Sequence, residues 1–265
     1  MIAAVRRAVL VLAAAQGCAR APDASRSPAT PARPPDAAAQ ATLCAVMRAY
    51  APRSLHWAGH GCPPDPAPVP AVARPCRVVW HGRPEGGTAL DYDDAGRLIG
   101  ATNHLVSWRY TYDDAGQLTG LAWTYAEAPA MDGAIEVRRG PDEIAYDHDA
   151  RFVLRGGVVA RIETAPPGAP WHLRYQHGRL TSVAITDPRD PGATASLRLD
   201  WDDHGRLRRR EADWTGGRRP PDVATFTWDA AGRLTAIVDP DGETAIEYDC
   251  PATDAPQRAA GSSGP

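Results

Sequence analysis

His56, His60 and Cys62 stand as H-x-x-x-H-G-C, with Cys44 upstream, and this set has two chemical futures. In a reducing compartment it would hold Zn²⁺; in an oxidising one Cys44 and Cys62 would close a disulfide. Acidic clusters at Asp91, Asp93 and Asp94, at Asp113 and Asp114, and at Asp200, Asp202 and Asp203 offer the hard oxygens that Ca²⁺ requires. None has the EF-hand spacing, and capping of turns accounts for all three, so no metal site and no cofactor is expected. Nucleophilic chemistry has no visible home: G-x-S-x-G, P-loop and G-x-G-x-x-G patterns do not occur, and Gly86-Gly87 and Gly156-Gly157 read as β-turns. A glycosidase-like carboxylate pair could hide among so many acids, but nothing singles one out, and the chain is expected not to be an enzyme. The other histidines, His81, His104, His148, His172, His177 and His204, are spread one per loop or strand.

The 265 residues carry net charge −3, and all 29 cations are Arg. Between 84 and 250, 18 Arg face 28 Asp plus Glu, a local balance of −10 that disfavours binding to a phosphate backbone; no nucleic-acid partner is expected. The 26 Pro and 24 Gly argue against a helical architecture.

Two early cations, Arg6 and Arg7, precede the apolar run A-V-L-V-L-A-A-A and then Q-G-C at 16–18. Residues 1–17 therefore read as a secretory signal peptide, its apolar run far short of the roughly 18 to 20 residues of a membrane span. The leader resembles that of bacterial lipoproteins, with Gly17 before the cut and Cys18 as the residue to be acylated, although Ala15 and Gln16 depart from the usual pattern. The resemblance implies export and a lipid anchor in the bacterial cell envelope, at the outer membrane or cell surface. With Cys18 lipidated, Cys44, Cys62, Cys76 and Cys250 are disulfide candidates; three connectivities are open, and location favours Cys44 with Cys62 and Cys76 with Cys250.

Residues 18–39, rich in Ala and Pro, lack the large apolar side chains needed to fold and read as a disordered tether. Residues 36–50 look like a short helix with Asp36 as N-cap and Leu43, Val46, Met47 and Tyr50 on one face. Pro52 ends it, and the stretch 40–76 forms a helical, Pro-rich, Cys-containing segment.

The rest is a repeat. Y-D-D-A-G-R-L at 92–98 returns as Y-D-D-A-G-Q-L at 112–118, W-D-D-H-G-R-L at 201–207 and W-D-A-A-G-R-L at 228–234. Weaker copies are Y-Q-H-G-R-L at 175–180, one residue short, and Y-D-H-D-A-R-F at 146–152. Asp93, Asp113, Asp202 and Asp229 fall at the first position of a turn, and Gly96, Gly116, Gly205 and Gly232 at the fourth, where positive φ closes a bulged hairpin. Flanking residues alternate, as in Trp108, Tyr110 and Tyr112 against Arg109 and Thr111, so each strand has a dry and a wet face. The Arg before each Leu can lie over the facing aromatic ring. D-P-D-G at 239–242 supplies a second turn type. Most of the 8 Trp and 8 Tyr alternate with the core, Trp171 in phase with Leu173 and Tyr175; Trp214, beside Gly216-Gly217, is the expected exposed exception.

These motifs resemble the YD repeat of the RHS repeat family over roughly 85–250. The resemblance implies a spiralling β-sheet that walls a shell, which in polymorphic toxins encloses a toxic C-terminal domain. Here about six hairpins fall short of such a cocoon, and the 15 residues after Cys250 leave no room for a toxin. The expectation is an all-β antiparallel hairpin array over 77–250, a curved or spiralling sheet followed by a disordered tail at 251–265. It would act as a non-enzymatic, exported scaffold or interaction surface with a protein or glycan partner of unknown identity. The alternatives are a carbohydrate- or peptide-binding module and an unrecognised hydrolase.

Overall fold

The computed structural model describes residues 36–50, 55–82, 87–147, 150–164, 169–187, 190–214 and 220–250. The leader, Cys18, the tether up to residue 35 and the tail 251–265 lie outside the described residues, as does the side chain of His56.

Alternation becomes sixteen antiparallel strands, because a residue pattern of period two puts every second side chain on one face. In chain order these are β1 (Arg77–Val79), β2 (Thr88–Tyr92), β3 (Leu98–Thr102), β4 (Val106–Tyr112), β5 (Leu118–Tyr125), β6 (Gly133–Arg139), β7 (Glu143–Tyr146) and β8 (Ala150–Arg155). They continue as β9 (Val158–Thr164), β10 (Trp171–Gln176), β11 (Arg179–Asp187), β12 (Asp190–Trp201), β13 (Leu207–Asp213), β14 (Asp222–Trp228), β15 (Leu234–Asp239) and β16 (Gly242–Glu247). Each strand pairs with its neighbours in sequence, and β1 pairs with β16 through Arg77↔Glu247, Val78↔Ile246 and Val79↔Ala245.

That last pairing corrects the expected open or spiralling sheet: the array closes on itself as a barrel. Eight hairpins suffice because the segment between the Pro-rich stretch and the first repeat supplies β1, a three-residue strand with no repeat motif to announce it.

A barrel of this strand number leaves an aqueous lumen unless something fills it. Here the filler is the chain's own N-terminal segment. Asp36 caps α1 (Ala37–Tyr50), its Oδ1 accepting the N–H groups of Ala38 and Ala39 at 3.0 and 3.2 Å. Residues 37–39, counted above with the tether, are therefore helical. The helix is buried all round, without a break from Ala41 to Ala49, where the sequence reading had one dry stripe; Tyr50, assigned to that stripe, is 43% exposed.

Beyond it, a 3₁₀ turn (Leu55–His60) carries Trp57, which stacks on Phe152 of β8 at 5.4 Å and lies under the Arg48 guanidinium at 3.9 Å. Inward tyrosines donate to this segment: Tyr110 Oη to the carbonyl of Arg48 at 3.2 Å and Tyr146 Oη to that of Pro64 at 2.7 Å. Asp65 reaches the rim, where it pairs with Arg139 and accepts the N–H of Leu118 at 3.1 Å. The described buried residues of 40–76, among them Leu43, Val46, Trp57, Cys62 and Val69, are thus part of the barrel's core.

The outer wall is charged. Arg138 pairs with Glu136 at 2.9 Å, Arg151 with Glu143 at 3.2 Å, and Arg209 with Glu211 at 2.8 Å. A barrel facing lipid reverses this polarity, with an apolar band outside. Among the described residues no helix is long and apolar enough to cross a membrane.

Candidate functional site

Successive hairpins place all the Y/W-D-x-x-G turns at one end of the barrel and the D-P-D-G turn at the other. In three copies the turn is built alike. Asp93, Asp202 and Asp229 each accept the N–H of the Arg four residues on, at 2.8, 2.9 and 2.8 Å, and its Nε at 2.6, 2.8 and 2.7 Å. Gly96, Gly205 and Gly232 take φ between +80° and +88°, which an L side chain adopts only under strain. In the fourth copy Gln117 replaces the Arg, and only its N–H reaches Asp113, at 2.7 Å, with Gly116 again at positive φ. The ladder slips by one residue beside each of these four turns, the bulge that the turn type requires.

The bulge turns the Leu carbonyl sideways, and the next repeat's aromatic residue takes it. Tyr112 donates to Leu98, Trp228 to Leu207 and Tyr248 to Leu234, at 2.7, 2.8 and 2.8 Å; Trp201 does the same to Leu180 at 2.9 Å. The motif Arg follows this step. Arg97 lies 5.0 Å over Tyr112, Arg206 6.0 Å over Trp228 and Arg233 4.8 Å over Tyr248, so the facing ring that each Arg covers belongs to the following copy. The repeat residues therefore clasp one hairpin to the next, and Asp93, Asp202 and Asp229 each brace their own turn.

Burial alone would raise the pKa of these three aspartates, but hydrogen bonds from the backbone and side chain of the following Arg outweigh it and hold each carboxyl below the usual range. A group depressed in the folded state stabilises it above its unfolded value, about 3.9, and loses that contribution as pH falls through the folded one. Urea midpoints are expected to drop between about pH 5 and pH 2, with a shallower drop in Asp229→Asn. Parallel curves for wild type and variant would remove the turn carboxylate from acid stability.

The cysteines pair as location favours: Cys44 with Cys62, joining α1 to the segment beyond its 3₁₀ turn, and Cys76 with Cys250, joining the residues that flank β1 and β16. His60 is buried against the edge of Phe226, its Nε2 3.3 Å from Arg210 Nη1, so it packs in the core and not beside a Cys-bound ion. Trp214 is 49% exposed, and Trp171 lies half-buried with Leu173 and Tyr175.

The short copy at 175–180 departs from its siblings. Its turn is His177-Gly178, with φ +52° and +76°, the two-residue hairpin that the missing residue dictates. No Asp stands before Arg179 in this copy. Here, at the turn end of β10–β13, a groove of about 660 Å³ opens, lined by Arg179, Arg198 and Arg208 with His177, Asp200 and Trp201. Asp200 is shared with Arg209 at 3.7 Å. The groove was not foreseen; its one sequence signal is the copy that keeps Gly-Arg-Leu and drops the Asp.

Residues 201–244 match the RHS Repeat family. Residues 201–244 carry the RHS repeat. The matched segment runs from Trp201 to Thr244 and holds two complete motif copies, their bulged turns and the Arg206–Trp228 clasp. No curated protein matches the chain. Among solved structures, a TcdB2–TccC3–Cdc42 complex aligns at 20% identity and TM-score 0.27 over 57% of this chain and 7% of that one. The Tc holotoxin pore of Photorhabdus luminescens aligns at 17% and 0.26 over 58% and 9%. A porin-like protein of Bacteroides uniformis aligns at 11% and 0.35 over 61% and 93%. The aligned part of this chain thus spans under a tenth of the length of these two toxin chains.

Proposed function

We propose that this RHS-repeat chain is a non-catalytic, exported protein, tethered to the cell envelope through Cys18, whose barrel wall serves as an interaction surface. The observation that carries this reading is the filled lumen. With α1, Trp57, Ala58, Cys62, Val69 and Ala73 in the same core cluster as the inward strand residues, the described part of the N-terminal segment occupies the lumen, which favours the outer wall for partners. The two disulfides suit an oxidising compartment. Several of the groups with a shifted pKa serve packing or a turn: burial raises the inward Tyr110 and Tyr146, and hydrogen bonds from the following Arg hold the turn aspartate Asp93 low.

On that wall the arginine-lined groove is the place where a partner would dock, and its charge selects an anionic one. Guanidinium groups bind carboxylate and sulfate in forked geometry, and Trp201 borders the same depression, so an acidic polysaccharide of the envelope fits the chemistry. Heparin serves as the probe polymer, with neutral dextran as control. Saturable, salt-sensitive binding of heparin is expected for wild type, with affinity about tenfold or more lower in Arg198→Ala/Arg208→Ala, whose side chains are exposed and outside the core. Equal binding of dextran, or an undiminished double variant, would reject the groove. Labelling of cells with a fatty-acid probe should tag wild type and miss Cys18→Ala; equal labelling would reject the anchor alone.

A further inference from the structure

The barrel's closing seam is held covalently at only one end. Cys76 precedes β1 and Cys250 follows β16, so their disulfide clamps the end that bears the Y/W-D-x-x-G turns. Three ladder pairs later β1 stops, and the chain swings into Trp80 and His81 at the opposite end, beside the D-P-D-G turn that joins β15 to β16.

His81 is held there in an uncommon way. Its backbone takes φ 50° and ψ 37°, the left-handed region, which a non-glycine residue occupies at a cost. Gly242, with φ +137°, lets the turn backbone come close: a Cβ at that position would stand 3.4 Å from both Cβ and Nδ1 of His81. The imidazole Nδ1 is buried, makes no hydrogen bond, and lies 3.9 Å from Asp239 Oδ1. A buried ring nitrogen without a partner is costly, and its position beside a carboxylate asks for something between the two.

Asp241 completes a triad. One ligand atom each from His81, Asp239 and Asp241 lie within 4.8 Å of one another. Around a tetrahedral ion with metal–ligand distances near 2.0–2.2 Å, ligand atoms stand about 3.3 Å apart, so a modest turn of the exposed Asp241 side chain closes the set. The turn is already braced, since Asp239 Oδ1 accepts the N–H groups of Asp241 and Gly242 at 2.9 and 3.2 Å.

We propose that His81, Asp239 and Asp241 form a structural site for a divalent transition metal, Zn²⁺ in the first instance, which clasps the seam at the end opposite the Cys76–Cys250 disulfide. One imidazole and two carboxylates carry charge −2 and leave a fourth position for water, a donor set that favours zinc over the all-oxygen shells of Ca²⁺ and Mg²⁺. Binding through Nδ1 leaves the proton on Nε2. Arg210 lines the same cleft and draws on Asp239, which lowers affinity for any cation and makes the imidazole nitrogen the ligand on which selectivity depends. The sequence reading set these residues aside because His81 lay alone in its loop and D-P-D-G accounted for itself as a turn.

The test is calorimetric titration of the purified full chain with zinc chloride after EDTA treatment, with thermal unfolding measured in parallel. Wild type and His204→Ala, which alters an exposed turn histidine, are expected to bind one ion and to unfold at higher temperature with zinc. His81→Ala and Asp241→Asn should bind about tenfold or more weakly and lose the zinc-dependent shift. Asp241 contributes only its N–H to the turn bonds, so Asp241→Asn keeps the metal-free fold and its result stands even if His81→Ala misfolds. In wild type, Co²⁺ should give the strong visible absorption of a tetrahedral site. No zinc binding by wild type, or binding by Asp241→Asn equal to that of wild type, overturns the site.

Discussion

Trp57→Ala is expected to lose about 3–5 kcal/mol of unfolding free energy, enough to bring a domain of ordinary stability close to unfolding. Trp57 is 1% exposed and stands where the lumen would otherwise be hollow, with Phe152 at 5.4 Å, Tyr146 at 6.0 Å and the Arg48 guanidinium at 3.9 Å. Truncation leaves a cavity that rigid barrel walls cannot collapse into, and it strips the buried Arg48 of its ring. That cation would still meet the carbonyls of Pro63 and Pro64, at 2.5 and 2.9 Å from Nη2, but without its aromatic cover. Trp57→Phe is the informative companion. It retains the stack and removes an indole N–H that is buried without a partner, so its loss should stay below about 1.5 kcal/mol. Urea unfolding followed by circular dichroism separates the two. A loss for Trp57→Ala no larger than that for Trp57→Phe would mean that the N-terminal segment is not the core of the barrel.

Breaking Cys76–Cys250 should cost more than breaking Cys44–Cys62. In the chain-entropy account the cost follows the loop closed: a separation of 174 residues corresponds to about 5 kcal/mol and one of 18 residues to about 3. The seam adds a structural reason. β1 is a three-residue strand that meets β16 through three residue pairs and β2 through two, so without the disulfide few ladder bonds hold the barrel closed there. Paired Cys→Ala variants avoid placing a hydroxyl at Cys44 and Cys62, which are 2% and 5% exposed. Unfolding midpoints should rank wild type, then the Cys44/Cys62 variant, then the Cys76/Cys250 variant. Hydrogen exchange in the last should quicken first at Val78 and Ile246, which face each other across the seam. The reverse ranking, or unaltered exchange at the seam, would show that closure does not depend on the bond.

The same comparison of short-range and long-range contacts divides what could be read in the residues from what could not. Asp at the first turn position, Gly at the fourth and strands of period two are local instructions, and Asp93–Arg97, Asp202–Arg206 and Asp229–Arg233 obey them within five residues. The helix beginning after Asp36 is equally local, since its cap lies within three residues. The surroundings of that helix were not legible. Leu43, Val46 and Met47 imply one dry face whether a wall lies on one side or on every side, and Arg48 gave no hint of burial beneath a tryptophan. The arginine groove and the His81 triad share this origin, because Arg179 with Arg208, and His81 with Asp239, are ordinary residues until the barrel brings them together.

By itself, then, the order of residues determined a repeated hairpin array, its turn chemistry and its direction of alternation, because each is decided by neighbours that meet at any chain conformation. Closure of sixteen strands, the filling of the lumen by α1 and the segment around Trp57, and the sites at the two barrel ends were decided only by the tertiary structure. They depend on strand twist summed around the whole sheet and on a three-residue strand finding its partner at the far end of the chain, and no local pattern encodes such a sum.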